Sequence, residues 1–166
     1  IYPSMNLYKE YDESYLMSFD GIVWTGSSLN IYDNTKEIKN QISLMRKISQ
    51  LPIKTFGSCW GMQLYTVCNG GSVIKNIKGR EIGFAHNITL NTKGKSHKMY
   101  DQKPHIFDAF ASHVDHINTL PKNSTVLSDN HYSIQSLVTK YFWGTQYHPE
   151  FNFSYIGQIM SARKKI

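Results

Sequence analysis

A tight turn at residues 57–61 restricts the fold of this chain more than any other feature. It reads Gly-Ser-Cys-Trp-Gly and joins the short apolar run 53–56 to a run, 60–69, that has the length of a short helix and is followed by Gly70 and Gly71. Glycines on both sides of the turn remove side chains that would collide where a strand passes directly into a helix. A glycine pair is also a common helix end. The sequence therefore predicts a strand–turn–helix unit.

The segments before this turn predict an α/β arrangement. A buried strand is expected over 20–25, because a short apolar run there leads into a Gly-Ser loop. A helix is expected over 33–50, capped by one of residues 33–35 and ended before Pro52. Its apolar face comprises Ile38, Ile42 and Met45. Alternating strands and helices predict a parallel sheet with helices on both faces.

The second half of the chain is richer in extended segments. A helix over 153–165 closes the chain, and its inner face is predicted to carry Ile156, Ile159 and Met160. With 166 residues, of which 40% are hydrophobic and 18% charged, the chain fits one folded domain over residues 1–166. Turn residues separate the predicted strands 84–91, 107–113, 125–128, 134–139 and 142–147.

Charge and hydropathy exclude several classes of partner. The net charge is +6, but the basic residues are scattered, and the densest group, 163–165, lacks the interleaved aromatic residues of a nucleic-acid binder. We therefore expect a basic solvated surface and no nucleic-acid partner. No apolar run approaches the roughly 20 residues of a membrane helix, and the first residues do not resemble a signal peptide. The prediction is a cytoplasmic protein without a membrane partner.

Cys59 lies at the tip of the tight turn, in the pattern Gly-x-Cys-x-Gly of a cysteine nucleophile elbow. A residue there is held in a strained backbone conformation, and its thiol projects at a helix start, where the dipole favours thiolate. The N–H of Trp60 is then positioned to stabilise an oxyanion. The alternative is that Cys59 is a small buried residue. Cys68, nine helical residues later, is too far for a disulfide and is predicted to be a core residue.

His148 is the histidine that the pattern favours as a base. It follows an extended apolar run in the stretch 146–150, Gln-Tyr-His-Pro-Glu. Glu150 is two residues away, so on extended backbone both side chains project to the same side, and the carboxylate can orient the imidazole. The alternative is a surface histidine beside a surface glutamate. His113 and His116 lack a recognisable third ligand, so no metal site is predicted.

The two motifs together resemble the class I, triad-type glutamine amidotransferases. They occur in the family's order, with Cys59 and His148 separated by 89 residues. The similarity covers essentially the whole chain and is greatest to the GMP synthase-like branch. Further matching stretches are 20–27 (strand and oxyanion loop), Gly70-Gly71 after the nucleophile helix, 80–83 (Arg-Glu-Ile-Gly) and 112–115 (Ser-His-Val-Asp).

This resemblance implies a flavodoxin-like three-layer α/β sandwich with a mostly parallel central sheet. It also implies hydrolysis of the glutamine side-chain amide to glutamate and ammonia through a cysteine γ-glutamyl thioester, without a cofactor. Cys59 is implied as nucleophile, His148 as base and acid, and Glu150 as the residue that orients His148. The backbone N–H groups of Trp60 and of Gly26 and Ser27 are implied to hold the oxyanion. The implied substrate-binding residues are Gln63, Ser112, His113, Val114 and Asp115.

The sequence at the two ends of the chain affects which partner proteins are expected. The family's fold begins with a strand and a helix before a segment like Ile1-Tyr2-Pro3, so the resemblance implies that these elements are missing here. No synthetase motif follows in the chain. The expected alternatives are delivery of ammonia to a separate synthetase subunit, a stand-alone γ-glutamyl peptidase-like hydrolase, and a catalytically silent binding module on the same fold. A DJ-1-like cysteine hydrolase shares the elbow but does not require His-Pro-Glu.

Overall fold

The computed structural model describes residues 11–163; the segment Ile1-Tyr2-Pro3 and the last two residues of the predicted helix 153–165 lie outside that range. Nine strands and five α-helices follow one another in this part of the chain. Their bounds are α1 Glu13–Met17, β1 Ile22–Trp24, α2 Lys36–Ile48, β2 Thr55–Ser58, α3 Trp60–Cys68, β3 Ser72–Lys75, β4 Glu81–Leu90, α4 Thr92–Lys95, a 3-10 turn Lys98–Tyr100, β5 Ile106–His113, β6 Asp115–Thr119, β7 Thr125–Asp129, β8 Ile134–Val138, β9 Phe142–Thr145 and α5 Phe153–Arg163.

The main sheet has seven strands in the order β1-β2-β9-β8-β7-β4-β5, and β3 pairs with β6 in a separate antiparallel ribbon. The pairings β1–β2 and β2–β9 are parallel, whereas every pairing from β9 to β5 is antiparallel. The α/β class is confirmed, but the sheet is mixed rather than mostly parallel. The physical reason is connection length: four and three residues join β7 to β8 and β8 to β9, and such short links allow only antiparallel neighbours.

Two hydrophobic clusters cover opposite faces of the sheet. Consecutive residues of β8, Leu137 and Val138, belong to different clusters, as do Phe142 and Trp143 in β9. Because side chains alternate along a strand, the clusters lie on opposite faces. The first cluster contains the apolar sides of α2 and α3, and the second contains Tyr100 of the 3-10 turn with β4, β5 and β7 residues. This arrangement agrees with the predicted layers.

The helices in the first half agree with the prediction in position and in caps. The Oγ1 atom of Thr35 accepts a hydrogen bond from the N–H of Ile38, and α2 ends at Ile48, four residues before Pro52. The α3 helix ends at Cys68, and Gly70 follows with φ of +84°. Strand β2 begins two residues later than predicted and runs directly into the turn that holds the cysteine.

Met160 is the exception on the closing helix. Ile156 is buried as predicted, but Met160 is 38% exposed. Its thioether lies beside Gly83, at the wall of a cavity rather than in the core. Among the described helices, none is long and apolar enough to cross a membrane.

Cys68 is half-buried and packs against the core rather than lying within it, and its surroundings are not those of a reactive thiol. Burial raises the pKa of its thiol to about 12, although Arg46 acts in the opposite direction. The thiol donates a hydrogen bond to the carbonyl oxygen of Ile42, at 3.5 Å. Both cysteines are free.

Candidate active site

Cys59 occupies the turn between β2 and α3 in a backbone conformation that side chains rarely adopt, with φ of 48° and ψ of −98°. The flanking glycines make this turn possible. A methyl group on Gly57 would lie 2.7 Å from the carbonyl carbon of Gly61, and one on Gly61 would lie 2.7 Å from the carbonyl oxygen of Trp24. Strand, turn and helix therefore approach more closely than any other residue allows. The backbone strain holds the thiol at the first turn of α3.

The thiol of Cys59 is buried and contacts one of two glutamine side chains that are hydrogen-bonded to each other. The Nε2 group of Gln146 donates to Sγ at 3.4 Å, and the Oε1 atom of Gln146 accepts from Nε2 of Gln63 at 3.1 Å. The backbone N–H of Cys59 donates to the carbonyl oxygen of Thr145 at 2.7 Å, which ties the turn to the end of β9. These contacts fix the thiol at the wall of a cavity of about 530 Å³.

His148 lies three residues beyond β9, next to the end of β2 on the neighbouring strand. Its Nδ1 atom is 2.7 Å from Oε1 of Glu150. The hydroxyl oxygen of Ser58 lies 2.9 Å and 3.0 Å from the two oxygens of the same carboxylate. Burial by itself raises the pKa of Glu150, but hydrogen bonds from His148, the backbone and Ser58 outweigh it and leave the pKa below its ordinary value. An ionised Glu150 keeps a proton on Nδ1 and leaves Nε2 as the basic atom.

Two further contacts fix the plane of the His148 ring. The ring of Phe151 stacks on it, with centroids 3.9 Å apart and planes 6° from parallel. In addition, Gly26 approaches so closely that a methyl group there would lie 2.7 Å from Cε1 of His148. The loop after β1 therefore fits against the imidazole only because residue 26 has no side chain.

We expect Gly26→Ala to reduce turnover about 100-fold, because the added methyl displaces the imidazole and a misplacement near 1 Å costs about that factor. The measurement is kcat for the amide hydrolysis that the sequence resemblance implies. Gly157→Ala is the matched control, since a methyl group there meets no atom within 4 Å. The control should keep the wild-type rate and gain about 0.5–1 kcal/mol of folding free energy, as helical alanine replaces glycine. A Gly26→Ala variant with wild-type kcat would contradict the steric argument.

The candidate oxyanion donors belong to two segments that pack against each other. Trp60 is the first residue of α3, and the first N–H groups of a helix have no carbonyl partner within the helix. Gly26 and Ser27 belong to the loop that follows Trp24, and α3 packs against the Trp24 carbonyl through Gly61. Ser27 lines the cavities beside Cys59 and beside His148, Gly26 lines the second of these, and Trp60 lines a third cavity together with Gly26 and Ser27.

The segment 112–115 lines the same cavity as Cys59, together with Gln63. The Nε2 group of Gln63 donates to the carbonyl oxygen of Asp115 at 3.2 Å. The carboxylate of Asp115 accepts from the hydroxyl of Tyr32 at 3.0 Å. Burial, followed by this hydrogen bond, raises the pKa of Tyr32 to about 12. The predicted substrate-binding segment is therefore held against α3 by the Gln63 amide and against the turn before α2 by the Tyr32 hydroxyl.

The side chain of His113 helps to fix the position of the segment 112–115. Its Nε2 atom lies 2.8 Å from Oε2 of Glu81, and its Nδ1 atom lies 3.0 Å from the carbonyl oxygen of Asp115. Both partners are hydrogen-bond acceptors, so the ring links the Glu81 carboxylate to the backbone of its own segment. Burial raises the pKa of Glu81, but hydrogen bonds from His113, Asn130 and Gln135 outweigh it and lower the pKa overall.

The buried pair predicts a pH-dependent stability. Because the pKa of Glu81 is lowered on folding, its ionised form stabilises the protein above the ordinary pKa of 4.5. This stabilisation is lost as the pH falls from about 4.5 towards the lower pKa that Glu81 has in the folded protein. We expect Glu81→Gln to cost about 3 kcal/mol at pH 7, since it removes a buried carboxylate that is hydrogen-bonded to His113, Asn130 and Gln135. Urea unfolding at pH 7 and pH 4 measures the difference, which should shrink at pH 4; an equal difference at both pH values would contradict the assignment.

The sequence patterns gave no role to several residues of the site. Gln146 belongs to the predicted stretch 146–150 that contains His148. It lies two residues before His148, and on extended backbone this spacing indicates that the two side chains project to the same side of the chain. Ser58 had no such signal, because its contact with Glu150 depends on the pairing of β2 with β9. Across residues 11–163, no group of three or more His, Cys, Asp and Glu side chains could hold a metal ion.

Comparisons with known proteins agree on one family. The family model described as glutamine amidotransferase class-I matches residues 3–164. A γ-glutamyl-L-1-hydroxyisopropylamide hydrolase from a Pseudomonas species is 36% identical over 142 residues, which is 81% of this chain and 48% of that protein. A glutamine-hydrolysing GMP synthase from Blochmanniella pennsylvanica is 28% identical over 157 residues, 90% of this chain and 29% of that protein. The chain thus spans less than half the length of these relatives.

A solved structure shares the fold. A glutamine amidotransferase from Thermotoga maritima superposes with a TM-score of 0.80 at 23% identity. The match covers 94% of this chain and 66% of that one.

Proposed function

Because the chain belongs to the class I glutamine amidotransferase family, we propose that it hydrolyses the side-chain amide of a γ-glutamyl substrate through a thioester on Cys59. Glutamine is the simplest such substrate. The observation that carries the proposal is the pairing of a strained, buried thiol at a helix start with an imidazole oriented by Glu150, at the ends of two neighbouring parallel strands.

In the first step, Nε2 of His148 takes the proton of the Cys59 thiol, the resulting thiolate attacks the γ-carbonyl carbon, and the C=O electron pair moves onto oxygen. The N–H groups of Trp60 and of the Gly26–Ser27 loop stabilise this oxyanion. The tetrahedral intermediate collapses as the C–N bond breaks, and Nε2 of His148 donates a proton to the departing nitrogen. The products of this half-reaction are ammonia, or an amine, and the γ-glutamyl thioester.

In the second step, the now neutral His148 takes a proton from water as the water oxygen attacks the thioester carbonyl. The C–S bond breaks, Cys59 returns as thiolate, and glutamate leaves. Glu150 stays ionised throughout and stabilises the imidazolium that forms in each half-reaction, as its lowered pKa favours.

The cavity beside Cys59 supplies complementary charges for an amino-acid end. Arg80 and Asp115 both line it, so one cation and one carboxylate are available for an α-carboxylate and an α-ammonium group. Gln63 holds the backbone of Asp115 in place. We assign the glutamyl moiety to this cavity.

The fate of the nitrogen has two candidates. The match to glutamine-hydrolysing GMP synthases supports transfer of ammonia to a synthetase partner. The match to the Pseudomonas γ-glutamylamide hydrolase supports hydrolysis of a substituted amide for its own sake. Turnover of the isolated protein with glutamine and with substituted γ-glutamyl amides separates the two.

Trapping the acyl-enzyme tests the chemistry directly. The protein is mixed with glutamine, quenched in acid, digested and analysed by mass spectrometry; we expect one γ-glutamyl group on the peptide that contains Cys59. Hydroxylamine added during turnover should divert the acyl group to γ-glutamyl hydroxamate. Release of ammonia with neither adduct nor hydroxamate would refute the covalent route.

A further inference from the structure

We infer that the cavity beyond His148 is a leaving-group subsite for an apolar or aromatic amine, so that the preferred substrate is an N-substituted γ-glutamyl amide. This inference rests on the proposed function, since it concerns which amine leaves from the same thioester-forming site. It goes beyond that function by naming the substituent and the side chains that receive it.

The position of the cavity follows from the two halves of the site. Cys59 lines the first cavity and His148 lines the second, and the two share Ser27, Ser28 and Ser112 as their boundary. The glutamyl moiety lies on the Cys59 side. The departing nitrogen takes its proton from His148, so any substituent on that nitrogen points into the second cavity.

The size of the second cavity exceeds what ammonia requires. Its volume is about 690 Å³, which is within the range of small-molecule sites, whereas ammonia has a single heavy atom. The outer wall is formed by α5, through Tyr155 and Ile159, and by Phe151. An amine of the size of benzylamine fits such a space next to the catalytic imidazole.

The chemistry of the walls selects among amines. The charged residues that line the cavity are His148 and Glu150, which bind each other. No lysine or arginine of the described chain lines it, so the carboxylate of an amino-acid leaving group finds no cation there. Phe151 and Tyr155 meet edge to face, with ring centroids 4.9 Å apart, and about half of the Tyr155 surface is open. Aromatic rings in this arrangement favour a further apolar or aromatic group.

Three substrates distinguish the alternatives: γ-glutamylbenzylamide, glutamine and γ-glutamylglycine. Benzylamine and ammonia have similar basicity, so a difference in kcat/KM reports binding of the substituent rather than intrinsic reactivity. We expect kcat/KM for the benzylamide to exceed that for glutamine by at least about tenfold, the factor that 1.4 kcal/mol of aromatic contact supplies. We expect γ-glutamylglycine to gain nothing over glutamine.

Tyr155→Ala tests the assignment of the wall. The ratio of kcat/KM for benzylamide to that for glutamine should fall about tenfold in this variant, because one aromatic wall is removed. Tyr141→Ala is the matched control: Tyr141 is also a partly exposed tyrosine, but it lies in the turn between β8 and β9 and contacts Lys140. The control should leave the ratio unchanged.

Every outcome of these assays either supports the leaving-group subsite or overturns it. A wild-type preference for glutamine or γ-glutamylglycine, or an equal ratio in the Tyr155 and Tyr141 variants, overturns the leaving-group subsite while glutamine hydrolysis stands. If none of the three substrates acylates Cys59 in wild-type protein, the proposed function fails and this inference fails with it. The mass of the quenched enzyme separates those two failures.

Discussion

Replacing Cys59 with alanine is expected to reduce hydrolysis of γ-glutamyl amides by at least about 10⁴-fold, because removing the nucleophile of such a site abolishes covalent catalysis. The fold should survive. The thiol makes no side-chain cap to α3, and it accepts a hydrogen bond from the amide of Gln146. The strained backbone at residue 59 is retained, since alanine has the same Cβ. Ammonia release, measured by a coupled assay, and thermal unfolding of the same sample test both halves of the prediction.

The second cysteine provides the control. Cys68→Ala should keep the wild-type rate, because that thiol points to the Ile42 carbonyl in the α2–α3 interface. Its loss should cost about 1 kcal/mol of stability, through a small cavity. Ammonia release at the wild-type rate by Cys59→Ala, or loss of activity confined to Cys68→Ala, would contradict the assignment of the nucleophile.

The local elements were predictable because their signals are short-range. Gly57 and Gly61 are needed wherever a strand turns directly into a helix, and the structure shows the contacts under 3 Å that exclude any side chain. Thr35 caps α2 through its own hydroxyl three residues away. Such signals require no knowledge of the rest of the fold.

The sheet order and the second-layer contacts required long-range pairing that no single stretch encodes. Strand β9 inserts between β2 and β8, so that Ser58 lies opposite Thr145. Only this register brings the Ser58 hydroxyl to Glu150, 92 residues further on. The strands β3 and β6 were also missed. They form the ribbon that carries Asp115 to the cavity.

The same register explains why the candidate site lies where parallel and antiparallel pairing meet. The parallel pair β2–β9 delivers the cysteine turn and the histidine segment to one edge of the sheet. The antiparallel pair β4–β5 ends with Glu81 opposite His113 and supports the segment 112–115 from the other side. The cavity beside Cys59 lies between these two parts, so neither motif alone specifies it.

Replacing His148 with asparagine is expected to lower kcat by about 10³- to 10⁴-fold, because the departing nitrogen loses its proton donor and the attacking water loses its base. Asparagine is close to the imidazole in reach, and its amide can still donate to Glu150, so the arrangement of Ser58 and Glu150 should persist. Steady-state hydrolysis and acyl-enzyme trapping of the variant measure the effect on each half-reaction.

His86→Asn is the matched control for this change. His86 also places Nδ1 2.7 Å from a carboxylate oxygen, that of Asp108, but both side chains are largely exposed on the surface. An exposed pair of this kind contributes little to stability, so the control should keep wild-type kcat. Because nucleophile and base act as one unit, the Cys59→Ala/His148→Asn double variant should be no slower than Cys59→Ala alone. A His148→Asn variant within tenfold of wild type, or additive losses in the double variant, would mean that another group moves the proton.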